Sequence, residues 1–218
     1  MHVGILGGTG PAGRGLALRL AAAGAEVTIG SRDASRGEGV ALELAGAWPD
    51  RPLAVRGTDN EGAAAADLVV VGTPWDGAVA TARSLRGPLD GKVVVSMAVA
   101  LLKEGRELVA LAPARGSIAG ALQAALPGSL VAAAMHHLPA STMEELDQPL
   151  SAHVLVCSDH KEATAAASDL VESVDGLVAV DAGTLAQAGA IEAFTAVLIN
   201  VNIIHKIHST VIVGGFDR

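Results

Sequence analysis

Aromatic side chains and cysteine are nearly absent from this sequence. Its 218 residues contain no tyrosine, two tryptophans, two phenylalanines and one cysteine, although half of the residues are hydrophobic. The hydrophobic residues are therefore mainly aliphatic, which is typical of helices packed closely on a parallel sheet. The single cysteine, Cys157, excludes an internal disulfide, and its place in the apolar run HVLVC indicates a buried structural thiol.

Basic residues are scarce in the second half of the chain. Residues 1–115 carry 12 Lys+Arg and 12 Asp+Glu, whereas residues 116–218 carry 3 Lys+Arg and 11 Asp+Glu, so the net charge of −8 comes from the second half. This acidity argues against nucleic acid or an anionic membrane surface as a partner. We expect an anionic ligand to be held by the N-terminal half.

The sequence shows neither a signal peptide nor an uninterrupted membrane span. The N-terminal residues MHVGILGG contain no basic segment, and the longest apolar region, residues 188–204, is interrupted by Glu192, Asn200 and Asn202. His205 and His208 have helical spacing, but no nearby carboxylate completes a metal site. We therefore expect a cytoplasmic protein with no metal and no membrane partner.

Short apolar runs and helical segments alternate along the chain. Strands are predicted at residues 2–6, 25–30, 53–57, 67–74, 91–99, 129–139, 153–159 and 177–183, and helices at residues 14–23, 35–44, 60–66, 76–85, 118–125, 161–174 and 184–205. A polar loop is expected after residue 99. The continuously apolar strands predict a Rossmann-type, doubly wound α/β fold with a mostly parallel sheet.

The chain shows no compositional break that would divide it into independent domains. We expect a single domain over residues 1–218, in which a small C-terminal α/β extension, about residues 150–218, completes the substrate cleft and the dimer interface. The long apolar helix at residues 184–205 is expected either under the sheet or at a subunit interface, and we favour the interface.

The segment after the first strand matches the dinucleotide pattern G-x-G-x-x-G. It consists of Gly8, Thr9, Gly10, Pro11, Ala12 and Gly13. In this pattern Gly8 permits a tight turn, Gly10 lets a pyrophosphate approach the backbone, and Gly13 lets helix and strand pack closely. The N–H groups and the positive dipole end of the following helix face the phosphates. A plain β–α turn is the alternative, but the strand–loop–helix context favours dinucleotide binding.

A serine and two arginines stand where NAD-binding proteins have an acidic residue. Ser31 lies 23 residues after Gly8, close to the spacing at which a carboxylate binds the ribose. A serine hydroxyl can donate a hydrogen bond to a phosphate, and Arg32 and Arg36 can bind one in a bidentate manner, whereas a carboxylate would repel it. The alternative is that both arginines are solvated surface charges. The combination favours NADP(H) over NAD(H).

Other candidate site residues follow predicted strands, because ligands of open α/β sheets bind outside the carboxyl ends of strands. Thr73 and Pro74 are predicted to cover the cofactor. His136 is a candidate substrate contact, and since adjacent strand residues alternate faces, His137 is expected to point elsewhere. The alternative for His136 is a hydrogen-bonded structural role. No catalytic nucleophile is apparent, and hydride transfer needs none because the cofactor carries the chemistry.

The segments GILGGTGPAGRGLALRLAAAGAEVTIGSRDASR, VVVGTPWDGA, KVVVS, MHHLPA and DAGTL together resemble the NADP-dependent oxidoreductases of the deazaflavin coenzyme F420. The resemblance implies reversible hydride transfer between NADP(H) and F420 within a homodimer. The residues that it implies at the 2′-phosphate end of NADP are Thr9, Ser31, Arg32 and Arg36. Those that it implies near the deazaflavin are His136, Leu138, Pro139 and Thr195. His136 is then a candidate source of the proton that accompanies hydride transfer, as is a water molecule.

The sequence also departs from this resemblance. On the helix after DAG, where the family has an arginine and a serine, this chain has Gly189 and Ala193, and only Thr195 of that set remains. The prolines often found after VVS are absent from SMAVA. Two alternatives therefore stay open: an NADPH-dependent reductase of a flavin, an imine or a small carbonyl compound, and a non-catalytic NADP(H)-binding protein.

Overall fold

The computed structural model describes residues 1–216. The strands are β1 (His2–Leu6), β2 (Glu26–Ser31), β3 (Val55–Asp59), β4 (Leu68–Val71), β5 (Val93–Ser96), β6 (Leu101–Glu104), β7 (Glu107–Ala110), β8 (Leu130–Ala133), β9 (Ala152–Ser158) and β10 (Leu177–Asp181). The helices are α1 (Pro11–Ala22), α2 (Ala34–Ala47), α3 (Asn60–Ala64), α4 (Trp75–Ser84), α5 (Arg86–Leu89), α6 (Ile118–Ala125), α7 (Ala140–Met143), α8 (Lys161–Glu172) and α9 (Ala188–His205).

Eight strands form one sheet in the order β10-β9-β8-β5-β4-β1-β2-β3. All neighbours in it pair in parallel except β8 and β9, which are antiparallel. The mostly parallel, Rossmann-type sheet predicted from the sequence is thereby confirmed. Because β9 and β10 run opposite to the other strands, their carboxyl ends lie at the edge of the sheet opposite to the one where β1 and β2 end.

The hydrophobic core is divided between the two faces of the sheet. Successive residues of a strand point to opposite faces, so Ile5 of β1 belongs to one buried cluster and Leu6 to the other. The same alternation separates Val95 from Val94 in β5. Burial on both faces explains why these strands are continuously apolar in sequence.

The segment expected to be a polar loop instead forms an antiparallel hairpin of β6 and β7. Gly105 supplies the positive φ of 60° at its turn. The hairpin is attached to α9: the Leu108 N–H donates to Asn200 Oδ1 and Asn200 Nδ2 donates to the Leu108 carbonyl, both at 2.8 Å. This contact joins residues 92 positions apart, which local sequence patterns do not show.

The buried residues of the long apolar helix all lie in its first half, and its second half is partly or fully exposed. Residues Leu185–His205, which comprise a 3₁₀ turn and α9, have a length and a mean hydropathy of 1.4 that would suffice to cross a membrane. Glu192, however, is buried, and its carboxylate accepts hydrogen bonds from the N–H groups of Ile118 and Ala119 at the start of α6. These bonds tie the first half of α9 into the domain, as in a helix of a globular core.

Candidate functional site

In the loop between β1 and α1, Gly7 is the residue whose backbone conformation requires a glycine. Gly7 has φ +64°, and a Cβ there would lie 2.4 Å from Thr73 Cγ2. Its N–H donates to Asn60 Oδ1 at 2.9 Å. Gly8, to which the sequence pattern assigns the tight turn, does not have a positive φ; a Cβ there would lie 3.0 Å from Ile5. Gly7 was missed because the pattern G-x-G-x-x-G begins one residue later, and Asn60 because it lies 53 positions further along the chain.

Two further glycines have the surroundings that the dinucleotide pattern requires. A Cβ on Gly13 would lie 2.6 Å from Gly8 Cα, so a side chain there would separate the helix from the loop. A Cβ on Gly10 would have no neighbour within 4 Å, which leaves this backbone open to a ligand. Gly10 is the N-cap of α1, and Pro11 begins the helix. The loop therefore presents a bare backbone and a helix N-terminus to the space above it.

A cavity of about 680 Å³ opens above this loop, at the carboxyl ends of β1, β2 and β4. Ten of the eleven residues predicted to bind the cofactor line it: Thr9, Gly10, Pro11, Ala12, Gly13, Ser31, Arg32, Arg36, Thr73 and Pro74. The eleventh, Gly8, is buried below the loop. The other lining residues are Gly7, Asn60, Gly72, Trp75, Asp76, Gly77, Thr81 and Val99. We call this space the dinucleotide cavity.

One end of the dinucleotide cavity carries two exposed guanidinium groups. Ser31 ends β2 and is buried, and its Oγ accepts a bond from the Asp33 N–H at 3.4 Å, so its hydroxyl hydrogen is available to a ligand. Asp33 caps α2 by accepting from the Ser35 N–H. Neither Arg32 nor Arg36 is paired with a carboxylate in the described part of the chain. This end is suited to a phosphate group.

Thr73 contributes an unsatisfied polar group to the same cavity. Its Oγ1 is buried without a hydrogen-bond partner among residues 1–216. A buried hydroxyl without a partner carries a desolvation cost that a bound ligand can relieve. Thr73 therefore fits contact with a polar part of the dinucleotide.

A second cavity, of about 670 Å³, lies between the segments that follow β5 and β8 and the second half of α9. The four residues predicted on the substrate side, His136, Leu138, Pro139 and Thr195, all line it. The other lining residues are Ala12, Met97, Val99, Leu101, His137, Ala140, Ser141, Leu198, Ile199, Asn202, Ile203, Lys206, Ile207 and His208. Ala12 and Val99 also line the dinucleotide cavity. We call this second space the acceptor cavity.

His136 and His137 both lie at the acceptor cavity, and the His137 ring is directed toward Leu155 of β9, which does not line that cavity. The strand ends at Ala133, and Met135 has φ +66°, so the alternation of an extended strand does not continue to the histidines. A non-glycine residue with this φ is strained, and such strain is common at functional sites. The chain therefore bends at Met135, between the end of β8 and the two histidines.

Both imidazoles are neutral at pH 7. Burial, with a smaller contribution from His137, lowers the pKa of His136 to about 3, and burial lowers the pKa of His137 to about 4. His137 Nε2 accepts a bond from the Leu155 N–H at 3.4 Å. Neither ring nitrogen of His136 has a partner in the part of the chain that is described. His136 therefore presents one donor and one acceptor to a ligand.

The chain shares its sequence with one family along almost its whole length. Residues 2–100 match the family described as NADP oxidoreductase, coenzyme F420-dependent. The F420-dependent NADP reductase of Methanothermobacter thermautotrophicus is 37% identical over 217 residues, covering 96% of this chain and 92% of the relative. That of Methanocaldococcus jannaschii is 36% identical over 215 residues, covering 96% of both. This chain belongs to the family of F420-dependent NADP reductases.

Comparison with solved structures shows that the similarity covers the whole fold of this family member. A proposed F420-dependent NADP reductase from Arthrobacter sp. FB24 is 26% identical and superposes with a TM-score of 0.79, covering 95% of this chain and 96% of that one. An imine reductase from Streptomyces aurantiacus is 17% identical with a TM-score of 0.57, covering 94% of this chain and 62% of its own. At this lower identity the likeness concerns the fold alone.

The two positions at which this family member departs from the expected pattern lie outside the acceptor cavity. A Cβ on Gly189 would lie 2.4 Å from the Gly116 carbonyl oxygen, so an arginine at this position would not fit without a shift of the backbone. Ala193 is exposed. Thr195 is buried and lines the cavity, and its hydroxyl donates to the Ile191 carbonyl at 3.5 Å.

Residues 1–216 of this family member contain no group of three or more His, Cys, Asp or Glu side chains that could hold a metal ion. Of the two histidines with helical spacing, His208 has its Nδ1 within 3.1 Å of Ser141 Oγ and lines the acceptor cavity. Cys157 is buried, and burial, followed by the charge of Glu192, raises its pKa to about 12. A thiol with this pKa stays protonated and is not a nucleophile at pH 7.

Proposed function

We propose that this protein transfers a hydride reversibly between NADP(H) and the deazaflavin coenzyme F420. One observation carries the proposal: the two cavities adjoin each other, because Ala12 and Val99 line both of them. One cavity has the phosphate-binding features of a dinucleotide site, and the other is largely apolar. Membership in the family of F420-dependent NADP reductases supports NADP(H) and F420 as the two substrates.

On the dinucleotide side, we assign the 2′-phosphate of NADP to the end of the cavity that carries the guanidinium groups. Its ligands would be Thr9, Ser31, Arg32 and Arg36. The pyrophosphate would lie over Gly10 and the N-terminus of α1, where no side chain intervenes. Thr73 and Pro74 would cover the cofactor nearer the second cavity, with the free Thr73 hydroxyl as a hydrogen-bonding group.

On the acceptor side, we assign the deazaflavin to the space lined by His136, Leu138, Pro139 and Thr195. The nicotinamide supplies the hydride when NADPH is bound, and the protein provides proximity and exclusion of water. Because the pKa of His136 is about 3, its imidazole carries no extra proton to donate at pH 7. We therefore propose that His136 orients the acceptor by a hydrogen bond and that the proton comes from water.

We further propose a cytoplasmic homodimer that assembles through α9. Phe194, Val197 and Ile204 are exposed on this helix, and their spacing places them along one face. Leu102 and Val109 of the hairpin that contacts α9 are exposed as well. A contiguous exposed apolar surface marks an interaction site. The excess of acidic residues argues against nucleic acid or an anionic membrane as the partner.

The test is spectroscopic. The purified protein is mixed with NADPH and oxidised F420, and the loss of deazaflavin absorbance is followed, with NADH in place of NADPH as a comparison. We expect rapid bleaching with NADPH and little with NADH. Binding of NADPH without bleaching would contradict F420 as the acceptor. A flavin, imine or small carbonyl compound would then be tested, since the glycine at position 189 distinguishes this chain from the expected pattern.

A further inference from the structure

The acceptor cavity is free of acidic side chains although it lies in the acidic half of the protein. Residues 116–218 contain 11 Asp+Glu and only 3 Lys+Arg. None of the described residues that line the acceptor cavity is an Asp or a Glu, and Lys206 is the one Lys or Arg among them. Acidic residues are therefore kept away from this space, and one of the few basic residues is placed in it.

Lys206 occupies a backbone conformation that disfavours a lysine. It ends α9 with φ 55° and ψ 46°, in the left-handed region. Glycine is the usual residue at this position of a helix end, and other residues pay a steric cost there. Non-glycine residues in this conformation cost free energy and cluster at functional sites.

The turn that carries Lys206 is held by three hydrogen bonds to Asn202. The N–H groups of Lys206 and Ile207 donate to the Asn202 carbonyl, and the Ser209 N–H donates to Asn202 Oδ1 at 2.7 Å. These bonds fix the direction in which the chain leaves α9. Lys206 is thereby presented at the cavity by a defined turn and not by a free chain end.

Further polar groups line the same cavity. Ser141 Oγ and His208 Nδ1 lie 3.1 Å apart, and both residues line the acceptor cavity together with Lys206. Ser141 belongs to α7, which directly follows the segment that carries His136. A lysine ammonium, a hydroxyl and an imidazole are groups that can bind a phosphate or a carboxylate.

We propose that Lys206, assisted by Ser141 and His208, binds an anionic group in the side chain of the acceptor. The inference rests on the proposed function, in which Thr195 lies beside the deazaflavin ring. Lys206 is 11 residues further along the same helix, which at 1.5 Å per residue is about 16 Å. This separation exceeds the width of a three-ring system. Lys206 is therefore placed to meet an anionic group in the side chain of the deazaflavin and not its reacting ring.

Two variants test the proposal, with a third as the control. Lys206→Gly removes the charge and supplies the residue that the left-handed turn favours, so it folds, and a melting temperature equal to or above that of the wild type checks this. Lys206→Arg keeps the charge. Lys161→Ala, on the exposed start of α8 and away from the cavity lining, removes the same charge elsewhere in the acidic half.

The affinity for oxidised F420 is measured by quenching of deazaflavin fluorescence without NADPH, and kcat and KM are measured with NADPH. For Lys206→Gly we expect the Kd and KM for F420 to rise about 3- to 10-fold, with kcat and the KM for NADPH unchanged. Lys206→Arg and Lys161→Ala should stay within about 2-fold of wild type. Unchanged F420 affinity in Lys206→Gly would overturn the proposal.

Shortened acceptors identify the anion. A deazaflavin that lacks the whole anionic side chain should bind equally well to wild type and to Lys206→Gly. If Lys206→Gly instead loses as much affinity for this shortened acceptor as for complete F420, the proposal is overturned. With a deazaflavin that keeps the phosphate but lacks the glutamate carboxylates, a persisting difference assigns Lys206 to the phosphate, and its disappearance assigns it to a carboxylate. A wild-type protein that neither binds nor reduces any of these deazaflavins would contradict the proposed function itself.

Discussion

Ala12, on the first turn of α1, and Val99, after β5, each line both the dinucleotide cavity and the acceptor cavity. The two spaces therefore meet at two small side chains. Hydride transfer requires the donor and acceptor atoms to approach to about 3–3.5 Å. A methyl group at position 12 leaves room for two flat rings to come together at this junction.

Enlarging Ala12 should impair the transfer step more than the binding of NADPH. We expect Ala12→Leu to lower the single-turnover rate of hydride transfer at least about 10-fold, because displacements of about 1 Å at a reacting centre have effects of this size. The rate is measured by stopped-flow at saturating NADPH. Ala22→Leu makes the same change on the exposed end of α1 and should leave the rate unchanged. A normal rate in Ala12→Leu would show that the rings meet elsewhere.

Removing Arg32 should weaken NADP(H) binding selectively. We expect Arg32→Ala to cost about 1–3 kcal/mol of NADP(H) binding free energy, the scale of a hydrogen bond to a charged group, and to leave NAD(H) binding nearly unchanged. Titration calorimetry with both cofactors measures the difference. Arg83→Ala, which removes an exposed charge from α4 outside the cavity lining, is the control. Equal losses for both cofactors would contradict the 2′-phosphate assignment.

Two glycines of the phosphate loop should respond in opposite ways to substitution by alanine. Gly7→Ala adds a Cβ at positive φ and 2.4 Å from Thr73 Cγ2, so we expect a loss of about 2–4 kcal/mol in the free energy of unfolding. Gly10→Ala adds a Cβ into open space and should cost less than about 1 kcal/mol of stability, while NADP(H) affinity falls at least about 10-fold. Urea denaturation and cofactor titration separate the two effects. A Gly10→Ala variant with wild-type affinity would exclude close approach of the pyrophosphate.

The two buried histidines should make the protein sensitive to acid. Their folded-state pKa values of about 3 and about 4 lie below the ordinary value of 6.5. At a pH between these values and 6.5, the unfolded chain therefore binds more protons than the folded protein. The associated stability is complete above pH 6.5 and is lost as the pH falls toward 4, by an amount on the order of a few kcal/mol.

The histidine prediction is checked by melting temperatures between pH 4.5 and 7.5. His136→Leu should reduce the pH dependence of the melting temperature, because one of the two groups that resist protonation is gone. His205→Ala, which removes an exposed histidine, should leave that dependence unchanged. An identical dependence of melting temperature on pH in wild type and His136→Leu would show that His136 takes up protons equally in the folded and the unfolded state.

A charge on the exposed face of α9 should prevent assembly. Val197 is 52% exposed in the single chain, and burying an aspartate at a subunit interface without a partner is strongly unfavourable. If the proposed dimer forms through α9, we expect the wild type to sediment as a dimer and Val197→Asp as a monomer at the same concentration. Leu42→Asp, on the exposed face of α2, should leave the oligomeric state unchanged. A dimeric Val197→Asp protein would exclude this face as the interface.

Several features of the site were missed because they depend on contacts that the sequence does not display. The close approach of Gly7 to Thr73, 66 positions later, leaves no room for a side chain at position 7. The hairpin of β6 and β7 depends on Asn200 of α9. The bend at Met135, between the end of β8 and the two histidines, is signalled by no pattern of apolar residues.

The sequence by itself determined the parallel sheet and the dinucleotide loop, because both depend on short-range chemistry. Continuous apolar runs are stable only when both faces are buried. The loop glycines lie within six consecutive residues, and Ser31 and Arg32 are adjacent. Only the tertiary structure decided the acceptor cavity. Its walls join Ala12, the histidine segment and α9, and the position of α9 is set by the bonds of Glu192 and Asn200 to distant backbone groups. Such packing is selected by the fit of the whole core, so the local sequence of any one wall does not contain it.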